Sequence, residues 1–180
     1  VWNGREFDEK RAEARRAMIR TAEATLSCKF DGEPLIVGTS GRYEFRNKGI
    51  DIFLDALKQL AETDALDREV LVYITVPSAT TGPRKDLQAH LADENSPIDP
   101  KQNRFCTHYL EHPEWDQILN SIAGSVLANP SSKVKVVFVP TYLNGRDGIF
   151  DKSYYELLVG MDMTLFPSYY EPWGYTPLES

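Results

Sequence analysis

Glu69-Val70-Leu71-Val72-Tyr73-Ile74-Thr75-Val76, stopped by Pro77, decides how this chain is to be read. Only its first and seventh residues are polar, so neither set of alternate side chains suits water. A strand of this kind must be covered on both faces, the condition of a parallel sheet clad in helices. Three further segments read as its neighbours. Pro34-Leu-Ile-Val-Gly38 is short and buried, Lys133-Val-Lys-Val-Val-Phe-Val139 is closed by Pro140, and Met163-Thr-Leu-Phe166 runs into Pro167-Ser168.

Helical patterns fill the intervals. Glu6 to Ser27 has neither Pro nor Gly and carries a thin apolar stripe of Phe7, Ala14, Met18, Ala22 and Leu26. Asn47 reads as the cap of a helix to about Ala61, with Ile50, Phe53, Leu54, Leu57 and Leu60 on one face. Glu114 to Ala128 reads as one helix with Trp115, Ile118, Leu119, Ile122, Val126 and Leu127 inward, and Asp151 as the cap of a short helix through Val159. Ser78 to Pro113 is polar and broken by prolines, an excursion with one short helix near Arg84 to Ala92. Strands alternating with helices imply right-handed crossovers and a Rossmann-like, three-layer α/β sandwich with a parallel sheet. Ligands of such sheets lie beyond the carboxyl ends of the strands. Here those ends are residues 39–48, 77–83, 140–151 and 167–180.

Composition narrows the function. The 180 residues include 20 Lys plus Arg against 27 Asp plus Glu, a net charge of −7. That disfavours broad electrostatic binding to nucleic acid or anionic membrane. No apolar run approaches the roughly 18–20 residues that span a bilayer. Two cysteines are too few for a disulfide scaffold, so a reducing, cytoplasmic setting is expected. The chain opens at Val1 and stops at Ser180, within two residues of a dense motif, and is expected to be a portion of a longer protein.

Two of the four carboxyl-end segments hold unusual chemistry. In Gly38-Thr-Ser-Gly-Arg-Tyr-Glu-Phe-Arg-Asn-Lys-Gly49, Arg42 stands before a helix and Lys48 is expected in its first turn. A guanidinium fork, an ammonium and a helix N-terminus together suit a phosphate. The same residues also fit a solvated surface on which Arg42 and Lys48 pair with Glu44 or Asp51. In Phe166-Pro-Ser-Tyr-Tyr-Glu-Pro-Trp-Gly-Tyr-Thr-Pro-Leu-Glu179, three prolines stiffen a loop of aromatic rings and two carboxylates. Aromatic faces and carboxylates commonly hold sugars. A packed aromatic corner with exposed glutamates is the other reading.

Taken together, residues 41–51 and 166–179 resemble the glycogen synthases of the animal and fungal type, a family that also has bacterial members. The Thr107-His108 step and the run from Val136 through Pro140 to Asn144 fall in the family's order. The resemblance implies a GT-B fold of two Rossmann-like domains facing across a cleft. Residues 1–180 would form part of the C-terminal, nucleotide-sugar-binding half, with an excursion at about 78–113. It implies glucose transfer from UDP-glucose or ADP-glucose to an α-1,4-glucan with retention, and no metal or other cofactor. It assigns Arg42 and Lys48 to the diphosphate and Glu171 to the donor sugar, as nucleophile or as orienting group. Glu179 falls to the ribose, Tyr154 to the base, and the backbone of Trp173, Gly174, Tyr175 and Thr176 to sugar and phosphate. The glucan acceptor would be held by an N-terminal domain outside this sequence, and the intact enzyme is expected to form a homo-oligomer. A noncatalytic nucleotide- or glucan-binding regulatory module is the alternative.

Other groups invite weaker readings. Cys106, His108 and His112 have a spacing foreign to familiar zinc sites, and Cys106 beside His108 lacks triad logic. Arg11, Arg15, Arg16 and Arg20 read as a solvated helix face.

Overall fold

The computed structural model describes residues 3–63, 65–99 and 104–169. Four parallel strands make the central sheet: β1 (Leu35–Ser40), β2 (Val70–Thr75), β5 (Val134–Phe138) and β6 (Met163–Thr164). Their spatial order is β5-β2-β1-β6. Leu35 to Ser40 of β1 lie opposite Val70 to Thr75 of β2, and Val37 and Gly38 lie opposite Met163 and Thr164. All residues of β2 and β5 are buried, as strands covered on both faces must be. The helices α1 (Gly4–Leu26), α3 (Lys85–Ala92) and α5 (Tyr154–Leu158) form one outer layer, where α1 packs on the other two. Helices α2 (Ile50–Ala61) and α4 (Gln117–Ala123) pack together in the other. The Rossmann-like three-layer sandwich read from the sequence is the fold observed.

Helix α1 begins with a capping box, in which the Asn3 side chain accepts from the Glu6 amide and Glu6 accepts from the Asn3 amide, both at 3.0 Å. It is tied to the sheet by Tyr73, whose buried hydroxyl donates to the Met18 carbonyl at 2.6 Å. The arginines of this helix are not a uniformly solvated face. Arg15 is buried and donates to Glu33 (2.6 Å), the Gly160 carbonyl (3.0 Å), Asp162 (2.9 Å) and the Pro34 carbonyl (2.9 Å). Arg11 donates to the Val159 and Met161 carbonyls and to Asp162. Asp162 in turn accepts from the Ile36 amide at 2.8 Å, so the cluster ties α1 to the starts of β1 and β6. Arg16 and Arg20 are exposed, Arg20 donating to the Leu91 carbonyl.

Three other expectations change. The single helix over Glu114 to Ala128 is a 3₁₀ turn (Pro113–Trp115), α4, and a second 3₁₀ turn (Val126–Ala128). The break falls at Gly124, and Trp115 lies outward instead of on the buried face. The cap of α2 is Gly49, not Asn47, with φ 61° and ψ 24°. The cap of α5 is Ser153, not Asp151, in a capping box with Glu156.

The excursion has its own architecture. Strand β3 (Thr80–Pro83) pairs antiparallel with β4 (His108–Leu110). Arg84 is fully buried and donates to both carboxylate oxygens of Asp86 (3.1 and 2.6 Å) and to the Cys106 carbonyl (3.2 Å). Burial disfavours the Asp86 carboxylate, yet Arg84 and the Asp99 and Leu87 amides hold its pKa below the ordinary value. Cys106 bridges Phe138 in parallel, with Phe138 donating to the Phe105 carbonyl (2.7 Å) and Thr107 to the Phe138 carbonyl (3.1 Å). The excursion therefore lies along the outer edge of β5. Among the described residues, no helix is long and apolar enough to cross a membrane.

Candidate functional site

Counted along the chain, the parallel strands stand in the order third, second, first, fourth. The sequence of crossovers reverses between β1 and β6. In doubly wound sheets the ligand crevice opens at that reversal, beyond the carboxyl ends of the two strands. The loops leaving those ends are 41–49 and 165–169, which are the starts of the two segments singled out in the sequence.

The structure brings these loops into contact. The Tyr169 amide donates to the Asn47 carbonyl at 3.0 Å, and the Ser168 hydroxyl donates to the same oxygen at 3.1 Å. Pro167 packs on Gly49, where a Cβ would come within 2.8 Å of the Pro167 carbonyl oxygen. Gly49 is thus required twice, for its left-handed backbone and for its lack of a side chain. Within the first loop, the Asn47 side-chain amide donates to the Glu44 carboxylate at 2.7 Å, and the Lys48 backbone amide donates to the Glu44 carbonyl at 2.9 Å.

Arg42 is exposed at this rim, and its guanidinium lies 3.9 Å from Glu44. Both side chains face water, so this pair adds little stability and leaves the guanidinium available to a stronger anion. Lys48 is half-buried and precedes the cap of α2, so it lies just outside the helix instead of in its first turn as expected. Helix α2 partly satisfies its own start: Asp51 donates its amide to the Phe45 carbonyl, and its carboxylate accepts from the Ile52 amide at 2.9 Å.

Tyr154 opens α5 and reaches the end of β1, where its hydroxyl oxygen accepts a hydrogen bond from Ser40 at 3.0 Å. Tyr155 meets its ring edge-on, with centroids 5.5 Å apart. Ser40 was not foreseen as a site residue; the available signal was a hydroxyl on the last residue of a strand. Tyr43 was also missed. Its hydroxyl oxygen accepts from the Ile118 amide at 3.2 Å, which anchors the Arg42 loop to α4. Burial raises the pKa of Tyr43 and that of its neighbour Asp116, so the phenol stays protonated. Glu171, Trp173, Gly174, Tyr175, Thr176 and Glu179 lie outside the described residues.

His108 and Cys106 have structural partners. The two ring nitrogens of His108 meet the Thr107 hydroxyl and the Asp147 carbonyl oxygen, each at 2.9 Å, and burial lowers its pKa. Cys106 is buried, and burial raises its thiol well above the ordinary range. Among the described residues no group of His, Cys, Asp and Glu is arranged to hold a metal ion.

The parallel strand order, with its reversal between β1 and β6, defines a doubly wound, Rossmann-like α/β domain. Comparison with known proteins narrows this. The family model described as glycogen synthase matches residues 99–180. A glycogen [starch] synthase of Neurospora crassa is 30% identical over 83% of this chain. One of Caenorhabditis elegans is 28% identical over 78%, and the human liver protein 29% over 81%. The chain is related to the glycogen synthases, the family its sequence resembles. It spans 28–29% of the length of these relatives.

Proposed function

We propose that this chain is the nucleotide-sugar-binding, C-terminal domain of a GT-B glucosyltransferase that extends an α-1,4-glucan with retention. The observation behind the proposal is the meeting of loops 41–49 and 165–169 at the reversal between β1 and β6. Glu171 follows Tyr169 by only two residues, and Tyr169 is bonded to the residue next to Lys48. In this reading the nucleotide diphosphate lies against Arg42 and Lys48, and its base stacks on Tyr154.

The chemistry follows from charge. As the bond between the glucosyl carbon and the donor phosphate breaks, negative charge grows on the departing diphosphate. Fixed cations at that point favour the transition state over the bound substrate, because they interact most strongly with the charge that develops. Arg42 and Lys48 fill this role. Glu171 serves the donor sugar, as nucleophile or as an orienting acceptor for its hydroxyls, and Glu179 accepts from the ribose. Donor binding orders the reactants, and the glucan acceptor comes from the other side of the cleft.

Calorimetric titration of the 180-residue chain with UDP-glucose and with ADP-glucose tests binding and separates the two donors. Arg42→Ala and Lys48→Ala should each weaken it by about tenfold or more. In the longer protein that contains this domain, Arg42→Ala or Glu171→Ala should slow glucose transfer to glycogen by about 10²–10³. Transfer undiminished by either substitution removes the catalytic roles. Absence of transfer from every common nucleotide-glucose leaves a binding module.

A further inference from the structure

Beside the basic loop stands an aromatic pair that the nucleotide reading leaves unused. Trp115 is 74% exposed, and its ring stacks on that of His112 with centroids 5.2 Å apart and planes 26° from parallel. The turn that displays them is stiff. Pro113 opens it, the Trp115 backbone amide donates to the His112 carbonyl at 3.2 Å, and the Asn120 side-chain amide donates to the Glu114 carbonyl at 2.9 Å. Asp116 closes it by accepting from the Leu119 amide at 2.8 Å. A large apolar ring held outward by so many local bonds is prepared in advance for a partner.

Behind the pair is an open pocket of about 360 Å³, lined by Tyr43, Ser78, His112, Trp115, Asp116 and Gln117. That is within the usual size of small-ligand sites, about 300–1,000 Å³. Its chemistry selects the ligand. Among the described residues neither lysine nor arginine lines it, so they offer an anion no strong counter-charge. A hydroxyl, an amide and a carboxylate offer both donors and acceptors beside a flat apolar face, a set that fits a neutral ring bearing many hydroxyls. Tyr43 ties the pocket to the crevice, because Arg42 precedes it in the same loop.

We infer that the Trp115–His112 platform and its pocket bind a glucosyl unit of the α-glucan on this domain itself. The assignment of the glucan rests on the glucosyltransferase reading; the site extends that reading, which otherwise leaves acceptor contacts to another domain.

The test is titration of the 180-residue chain with maltoheptaose, followed by calorimetry and by the indole N–H resonances in NMR. The Trp115 resonance, assigned with Trp115→Phe, should shift on addition of the sugar. Trp115→Ala should weaken maltoheptaose binding by about tenfold or more, and Gln117→Ala by a smaller factor. Neither should change the affinity for UDP-glucose or ADP-glucose or the thermal midpoint, because Trp115 is exposed. Failure of the wild-type chain to bind maltoheptaose, or equal affinity in Trp115→Ala, overturns the inference. Maltoheptaose bound through Trp115 with no nucleotide-glucose bound at all sustains this site while defeating the donor assignment. In the longer protein, a Trp115 resonance indifferent to the sugar shows that this face meets another domain, which also overturns it.

Discussion

Replacing Gly49 with alanine tests the junction on which the site depends. Two separable penalties apply. The backbone at φ 61° and ψ 24° lies in the left-handed region, which costs an alanine about 1–2 kcal/mol. The new Cβ would also lie 2.8 Å from the carbonyl oxygen of Pro167 and 2.9 Å from its carbonyl carbon. Those are backbone atoms of a segment pinned by two hydrogen bonds to Asn47, so they cannot swing aside as a side chain would. Forcing them apart should cost about 1–3 kcal/mol more. The sum, about 2–5 kcal/mol, is large against a typical domain stability of about 5–15 kcal/mol. Gly32→Ala supplies the comparison, because Gly32 has φ 96° and no atom within 4 Å of a built Cβ. It suffers backbone strain alone. Equilibrium urea unfolding of both variants gives the difference, and nucleotide-glucose titration should show weakened binding only for Gly49→Ala. Gly49→Asn should recover part of the stability, since asparagine tolerates this backbone, while the clash remains. If Gly49→Ala is no more destabilising than Gly32→Ala, Pro167 does not rest on Gly49 and the contact between the two loops is wrong.

Further outcomes follow from other contacts. Arg15→Ala leaves Glu33, Asp162 and two carbonyls short of a partner and should cost about 3–5 kcal/mol in urea unfolding. Burial opposes the charge on Asp162, but the Ile36 amide and Arg15 outweigh it and hold its pKa below the ordinary value. The unfolded chain therefore takes up the proton first, so this stabilisation is present above about pH 4 and is lost as pH falls through the folded pKa. Asp162→Asn should flatten that acid limb. Ser40→Ala should weaken nucleotide-glucose binding by about fivefold, the worth of one hydrogen bond of about 1 kcal/mol. The loss should vanish in a Tyr154→Phe background if Ser40 acts by setting that ring. Thiol labelling of the native chain at pH 8 should modify half-buried Cys28 first and spare Cys106 until the chain unfolds, because Cys106 is fully buried. Equal labelling rates would contradict the packing of Cys106 against β5.

The sheet was legible because its signal is local. Val70 to Thr75 and Val134 to Phe138 spell out burial on both faces without reference to the rest of the chain. The position of the crevice was partly legible, since helix–strand alternation identifies the carboxyl ends. The strand order that selects two loops of the four depends on long-range pairing. What went unread has the same cause. Arg15 looks like a solvated residue in its own helix, because its partner Asp162 lies 147 residues away. Trp115 completes an apolar pattern, but Pro113 and the Asp116 cap turn the chain before that pattern can form one helix. Asn47 has the chemistry of a cap, yet the packing of Pro167 moves the helix start to Gly49. Strands β3 and β4 are too short to show a pattern, and each is defined by the other rather than by its own sequence. Of the predicted site residues, Arg42, Lys48 and Tyr154 fall in described segments.

The segment around Cys106 also has a protective role. An uncovered parallel strand presents a row of free amide and carbonyl groups that a strand from a neighbouring molecule can use to stack on. At Phe138 both groups are already engaged, one by Phe105 and one by Thr107. The detour between β2 and β5 thus acts as a selvedge, finishing that margin of the sheet so that copies of the protein have less purchase to zip together at high concentration.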